Sequence, residues 1–197
     1  MSDLPEQVGR RLSQLRDGQG MSLSELARRA GIGKGTLSEL ESGRRNPTLE
    51  TLYALTTALG THLTAVLSAP VEHAELSGTA VDARLIERFE DGAAVTEVFR
   101  IRIRAGQRQQ SGAHTAGATE HLVVVTGTAL VGPATAPLQA GPGGHVEWAA
   151  DVPHVYGAPS GDVEAVLVVR YPTTEMRQAT TEVRLETTAV RDPSATN

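Results

Sequence analysis

The chain has 197 residues, with 18 basic and 23 acidic side chains for a formal net charge of −5, and no cysteine. At about 100–200 residues per domain the length suits two domains, and the missing thiols exclude disulfides, thiol redox chemistry and zinc–thiolate sites, so any metal must rest on His and carboxylate. No run approaches the ~18 apolar residues of a membrane span, and the opening MSDLPEQ lacks the basic-then-apolar order of a signal peptide, so a cytoplasmic protein with no membrane partner is expected.

Leu23, Leu26, Ala27 and Ala30 fall at helical spacing, and after Gly31 and Ile32 come Leu37 and Leu40, so two apolar stripes face each other across a short corner. That pattern is the helix-turn-helix solution to reading duplex DNA. Ser22 and Glu25 form an S-x-x-E capping box at the start of the first helix. Gly31 takes the position just past its end, where a left-handed backbone costs glycine nothing. Thr48 and Gly60 bracket the later run LETLYALTTALG as N-cap and closing residue. The second helix of the corner projects Lys34, Thr36, Ser38 and Glu39 away from Leu37 and Leu40. Lys34, the chain's only lysine, can bond guanine O6 or N7 or neutralise a phosphate, Thr36 can touch a thymine methyl, and Glu39 can accept from cytosine N4. Ser38 is expected partly inside, and for each residue taken singly an ordinary solvated helix face is the alternative.

The stretch Val8 to Leu67, with its opening VGRRLSQLRDGQGMSLSELA, its corner AGIGKGTLSELESG and the following RRNPTLETLYALTTALG, closely resembles the XRE (xenobiotic response element) family of bacterial regulators. That family shares the lambda-repressor type of five-helix DNA-binding domain. The resemblance implies helices over Pro5–Asp17, Leu23–Arg29, Lys34–Glu41, Leu49–Leu59 and Leu63–Leu67. It also implies that Arg44, Arg45 and Asn46, with Ser22 and Ser24, grip the sugar-phosphate backbone and position the duplex. Residues 1–69 hold 8 basic against 7 acidic side chains, so attraction to DNA must come from clustering, to which Arg10, Arg11, Arg28 and Arg29 add. A protein of this type reads two half-sites about one helical turn apart as a dimer, so a homodimer on double-stranded DNA is expected.

Across APVEHAELSG the helical period stops, and residues 70–78 read as a linker. Beyond it VTEVFRIRIRAG, HLVVVTGTALVG, HVEWAA and VEAVLVVRYP are short, rich in Val and Ile, and separated by Gly/Pro turns, which implies a barrel or sandwich. Residues 70–197 carry 10 basic and 16 acidic groups, so this half is the one expected to pair and sense rather than touch DNA. Arg100, Arg102 and Arg104 alternate with Ile101 and Ile103, giving one strand face that is basic and expected in solvent.

Within this half, SGAHTAGATEHLVVVTGTALV resembles the first cupin motif and GPGGHVEWAADVPHVYGAP the second, together covering about residues 79–172. His114, Glu120 and Gly127 fit the first motif's register, Ala116 stands at its second His position, and His154 falls on the metal-binding His of the second. The resemblance implies a double-stranded β-helix barrel in which His114, Glu120 and His154 form a two-His-one-carboxylate set for a divalent metal, Fe, Mn, Ni or Zn. Without a metal, the same residues line a small-molecule pocket or form hydrogen-bonded barrel histidines with Glu120 buried against one of them. His121 should point to the opposite strand face from Glu120. Trp148 packs in the barrel or floors an effector pocket with Tyr156 nearby, and His145 and Glu147, on the other face from Trp148, are assigned no chemistry. The last residues turn polar and Thr-rich.

Together these features predict an α+β multidomain chain: an all-α five-helix helix-turn-helix domain at 1–69, a linker at 70–78, an all-β cupin barrel at 79–175 and a polar tail at 176–197. The expected function is a transcriptional regulator, by default a repressor, with no catalytic residues, whose barrel dimerises and binds a small effector. Two alternatives remain open. One is a metal-dependent cupin enzyme, since an HTH-plus-cupin arrangement also resembles a non-haem iron phosphonate epoxidase; the other is a regulator whose barrel is only a metal-free dimerisation module.

Overall fold

Capping side chains set the helix ends in a computed structural model that describes residues 4–67 and 75–173. Residues 70–74 of the expected linker and the tail at 176–197 lie outside the described residues. The N-terminal unit has α1 (Leu4–Gly18), α2 (Leu23–Arg29), α3 (Lys34–Glu41), α4 (Leu49–Ala58) and a 3₁₀ turn at Leu63–Val66. At the start of α2, Ser22 Oγ accepts the Glu25 amide at 3.1 Å. The reciprocal half of the expected capping box is replaced: the Glu25 carboxylate pairs with Arg28 at 2.8 Å and Arg29 at 2.6 Å. Thr48 accepts the Thr51 amide at 3.3 Å to start α4.

The corner after α2 closes as a Schellman turn, with Ile32 N–H on the Ala27 carbonyl at 3.0 Å and Gly31 N–H on that of Arg28 at 3.2 Å. Gly31 has φ +67°, which a side chain would strain. Against α3, α1 comes close enough that a Cβ on Gly9 would stand 2.3 Å from the Leu40 carbonyl oxygen. The bidentate pair Arg16–Glu41, at 2.7 and 2.8 Å, ties the same two helices with side-chain exposures of only 12% and 10%. Leu12, Leu26, Leu37, Leu52, Leu55 and Leu63 fill the space between.

The expected fifth helix is corrected to a single 3₁₀ turn, so the unit has four α-helices. The segment spans four residues, too few for an α-helix to repay its nucleation. A contact remote in sequence fixes it instead, because the Thr64 amide donates to buried Glu97 at 2.7 Å.

The C-terminal unit is two antiparallel sheets. One runs in the order β1 (Glu75–Ser77), β2 (Val81–Glu90), β3 (Ala94–Ile103), β10 (Val163–Pro172), β5 (Thr119–Thr126), β8 (His145–Ala149). The other runs β4 (Arg108–Ser111), β9 (His154–Gly157), β6 (Ala129–Pro133), β7 (Leu138–Ala140). The strand β1 falls within the stretch expected as linker, because Glu75–Ser77 pair with Asp82–Arg84 and extend the sheet edge. Alternate residues such as Phe99, Ile101, Leu122, Val124 and Val169 point inward and are buried. Arg100 and Arg102 point outward and pair with Glu164 and Asp162, so the basic face lies in solvent among neutralising acids. No helix among the described residues is long and apolar enough to cross a membrane.

The two units share a joint. Thr57 of α4 donates to the Ala113 carbonyl at 3.2 Å, Glu50 accepts the Thr79 amide at 2.6 Å, and Glu97 of β3 meets His62 Nδ1 at 3.2 Å.

Candidate functional site

Two places gather the singled-out residues. The first is the outer face of α2 and α3. Lys34 is the first residue of α3 and exposed, Glu39 is exposed, and Thr36 and Ser38 are half-buried. Ser22, Ser24, Arg44, Arg45 and Asn46 are exposed on either side of that helix. Glu39 is not free, since Arg45 Nη1 stands 3.4 Å from its carboxylate. Ser22 already accepts a cap bond, which leaves its hydroxyl proton to donate. Much of the unit's positive charge is spent internally: Arg10 pairs with Glu6, Arg11 donates to the Ala65 carbonyl, Arg16 to Glu41, and Arg28 and Arg29 to Glu25. Those last two hold the Glu25 carboxyl down at about 2. Among the described residues of the N-terminal unit Lys34 and Arg44 have no such partner, so they are that unit's cations that face outward uncompensated.

The second place lies inside the β unit. His114 follows β4 in a loop, Glu120 sits on β5 and His154 opens β9, and their candidate ligand atoms lie within 4.8 Å of one another. The side chains are 1%, 0% and 0% exposed. His114 Nε2 is 2.8 Å from Glu120 Oε1, the Tyr156 hydroxyl donates to Oε2 at 2.5 Å, and His154 Nε2 is 3.5 Å from that same oxygen. Burial pushes the Glu120 carboxyl up, but the neighbouring His154 and the hydrogen bonds of His114 and Tyr156 more than offset it, and the group ends below the ordinary carboxylate range. Burial beside that carboxylate drives the Tyr156 phenol well up.

His154 Nδ1 is 2.9 Å from the Val152 carbonyl. A carbonyl can only accept, so Nδ1 carries a proton, and Nε2, buried without a hydrogen bond, is the ring nitrogen aimed at the cluster centre. Two imidazoles and a carboxylate make a donor set that fits a divalent metal. Trp148 sits across the β5–β8 ladder from Glu120, its ring 6.2 Å from that of His154. Ala116, at the usual second His position, is exposed on the 112–118 loop, and the inward place beside it is held by buried Thr115. His121 points away from Glu120 as its alternation requires, and stacks on His145 at 5.6 Å with Glu147 3.7 Å from its Nδ1.

Two functional features escape a sequence reading. Tyr53 of α4 packs against His114 with ring centroids 4.3 Å apart and the planes tilted by 41°; its position in the apolar run LETLYALTTALG marks it only as inward-facing. The Arg16–Glu41 pair spans 25 positions, and nothing local announces it.

A helix-turn-helix with two uncompensated cations flanking its second helix, joined to a β unit with a sealed His–Glu–His cluster, defines a DNA-binding protein with an appended internal site. The helix-turn-helix family HTH_3 matches residues 12–66. The HTH-type transcriptional regulator SutR of Escherichia coli (strain K12) is 31% identical over 161 residues, 79% of this chain and 89% of that protein. HTH-type transcriptional regulator y4dJ of Sinorhizobium fredii (strain NBRC 101917 / NGR234) is 45% identical over 58 residues, 29% of this chain and 75% of that protein. The fold is shared with an HTH_3 family transcriptional regulator from Vibrio cholerae, at TM-score 0.77 and 23% identity over 86% of this chain and 97% of that one. The chain belongs to the HTH-type transcriptional regulators and carries their XRE-type DNA-binding domain.

Proposed function

We propose that the protein is a repressor that binds operator DNA as a homodimer, with α3 in the major groove and the β unit, a cupin-like double-stranded β-helix, serving to dimerise and to bind a small effector. The helical domain covers 1–69 and the β domain 79–175, joined through 70–78, of which Glu75–Ser77 add an edge strand to the β sheet. The observation that carries the DNA reading is the pair of exposed, unpartnered cations Lys34 and Arg44 bracketing α3. Lys34 and Thr36 read base edges, with Ser38 beside them and Glu39 available once Arg45 turns to a phosphate. Arg44, Arg45, Asn46, Ser22 and Ser24 hold the sugar-phosphate backbone. Fluorescence anisotropy on operator duplexes selected from genomic DNA tests the assignment: Lys34→Ala should relax preference at one base pair, by about 1–3 kcal/mol, while Arg44→Ala weakens all sequences alike and lowers the salt slope by about 1. Uniform weakening by Lys34→Ala would reassign it to a phosphate.

In the β unit, His154 Nε2, buried without a hydrogen bond and aimed at the cluster centre, supports a divalent cation, Fe, Mn, Ni or Zn, held by His114, Glu120 and His154 with Trp148 and Tyr156 lining the effector side. A metal bound there would supply a Lewis-acidic centre with positions left for an effector group. Metal analysis of protein purified without added ions, beside His154→Ala, checks this; an empty wild type leaves a metal-free pocket or a bare dimerisation module. The enzyme reading of the same triad has less support, since kinship is with transcriptional regulators and the cluster is sealed from solvent.

A further inference from the structure

The wall that closes the His114–Glu120–His154 cluster on one side does not belong to the β unit. Tyr53 of α4 lies on the His114 ring, and one turn further along α4 Thr57 bonds the carbonyl of Ala113, the residue before His114. Because the three cluster side chains are essentially without exposure, an occupant can enter only if a wall moves. Of the walls from the β unit, Glu120 pairs with both β10 and β8, His154 pairs with both β4 and β6, and His114, in the 112–118 loop, is held by its amide on the Ala150 carbonyl at 2.8 Å. The hydrogen bonds from α4 to the β unit run through side chains, those of Thr57 and Glu50 and the Tyr53 hydroxyl toward that of Tyr171. Local opening follows the weaker set of contacts, and here that set is α4 against the β unit.

The interior is also polar enough to want an occupant. His114 Nδ1, His154 Nε2, Ser111 Oγ and Trp148 Nε1 are buried without hydrogen bonds, and such groups are rarely left so. With Ala116 supplying no donor, three protein ligands leave a divalent cation needing water or a small anion as well, and beside His114 the room is taken by Tyr53.

We propose that the site is composite: Tyr53 of the DNA-binding unit is its movable wall, so that a divalent cation and its added ligands displace Tyr53 and loosen α4 from the β unit. This rests on the reading of the cluster as a metal site given above. The coupling is reciprocal, so whatever holds α4 against the β unit disfavours occupancy to the same degree that occupancy disfavours the held state. A ligand thereby acts on the helix that follows the Arg44–Asn46 phosphate contacts without any relay through a dimer interface.

Diethyl pyrocarbonate labelling of the full chain, read residue by residue by mass spectrometry, tests the wall. In the wild type exposed His145 labels while His114 and His154 stay protected. In Tyr53→Ala, His114 should label about tenfold faster or more, as expected when a closed state holding ~90% or more of the population is removed. Thr57→Val keeps the α4 core and should move the rate in the same direction by less, which serves if Tyr53→Ala does not fold. Co(II) alone, titrated by its visible absorption with amide exchange followed through α4, tests the coupling. Binding should lower protection of the α4 amides in the wild type, and Tyr53→Ala should bind Co(II) about tenfold tighter. Protected His114 in both folded variants, or bound Co(II) with α4 exchange unchanged, overturns the proposal and leaves the metal reading standing. Co(II) taken up by neither protein overturns the metal reading and the composite site with it.

Discussion

Replacing Arg16 by Ala should release α3 from α1. The guanidinium makes two hydrogen bonds to Glu41 at 2.7 and 2.8 Å and a third to the Met21 carbonyl at 3.0 Å. Glu41 raises the Arg16 pKa above its ordinary value, chiefly through that hydrogen bond. Removing one partner of a buried pair costs about 3–5 kcal/mol because the other charge stays behind unpaired, and the residual exposure of both side chains puts this case at the low end, about 3 kcal/mol. With an m of about 1.5 kcal/mol/M that is a fall of about 2 M in the urea midpoint, read by helical circular dichroism. The double variant Arg16→Met/Glu41→Leu should regain most of it, since two apolar side chains can replace a buried pair at little cost. Operator affinity should fall in the single variant through a misplaced α3, although both side chains are turned inward. A loss below about 1 kcal/mol in Arg16→Ala would put the pair among exposed ion pairs and refute the reasoning.

Gly31→Ala should cost about 1–2 kcal/mol in the same urea assay, because its φ of +67° is strained for a side chain even though the space beside it is open; an unchanged midpoint would mean that the turn had been rebuilt. Glu25, lowered from the ordinary 4.5 to about 2 by Arg28 and Arg29, contributes stability that is present above about pH 4.5 and lost as pH falls toward 2. Glu25→Gln should therefore flatten the acid limb of the urea midpoint in that window, and added salt should shrink the difference; parallel profiles would deny the Arg pairing in solution. Glu120→Ala, which strands the buried Tyr156 hydroxyl and His114 Nε2, should lower stability by about 2–4 kcal/mol in thermal melts, while Glu120→Gln loses less.

The ends of α2 could be read from the chain because their determinants are local, Ser22 capping and Gly31 turning, and Leu26, Leu37 and Leu40 face inward at helical spacing; α3 starts after Gly33 with no side-chain cap, and its bounds come through the family resemblance. The 3₁₀ turn at Leu63–Val66 could not be read locally, since it depends on Glu97, 33 positions from Thr64. The His–Glu–His set was legible through motif spacing and strand alternation, which brings Glu120 inward and turns His121 out. What no spacing reveals is the packing of one unit on the other. Tyr53 satisfies the periodicity of α4 whether it meets a leucine of its own unit or His114 of the next. The Glu39–Arg45 contact likewise depends on how the chain leaves α3, so the pattern offered both residues as candidate DNA contacts without showing that they meet each other.

Trp148 is the chain's only indole, and its place beside His154 equips the molecule with a built-in optical gauge. Buried away from water with its N–H unbonded, it should emit at short wavelength, and any cation or polar guest reaching His154 would alter that light without a dye. Events inside the β unit can thus be timed against events on DNA in one cuvette, with unlabelled protein and a tagged duplex.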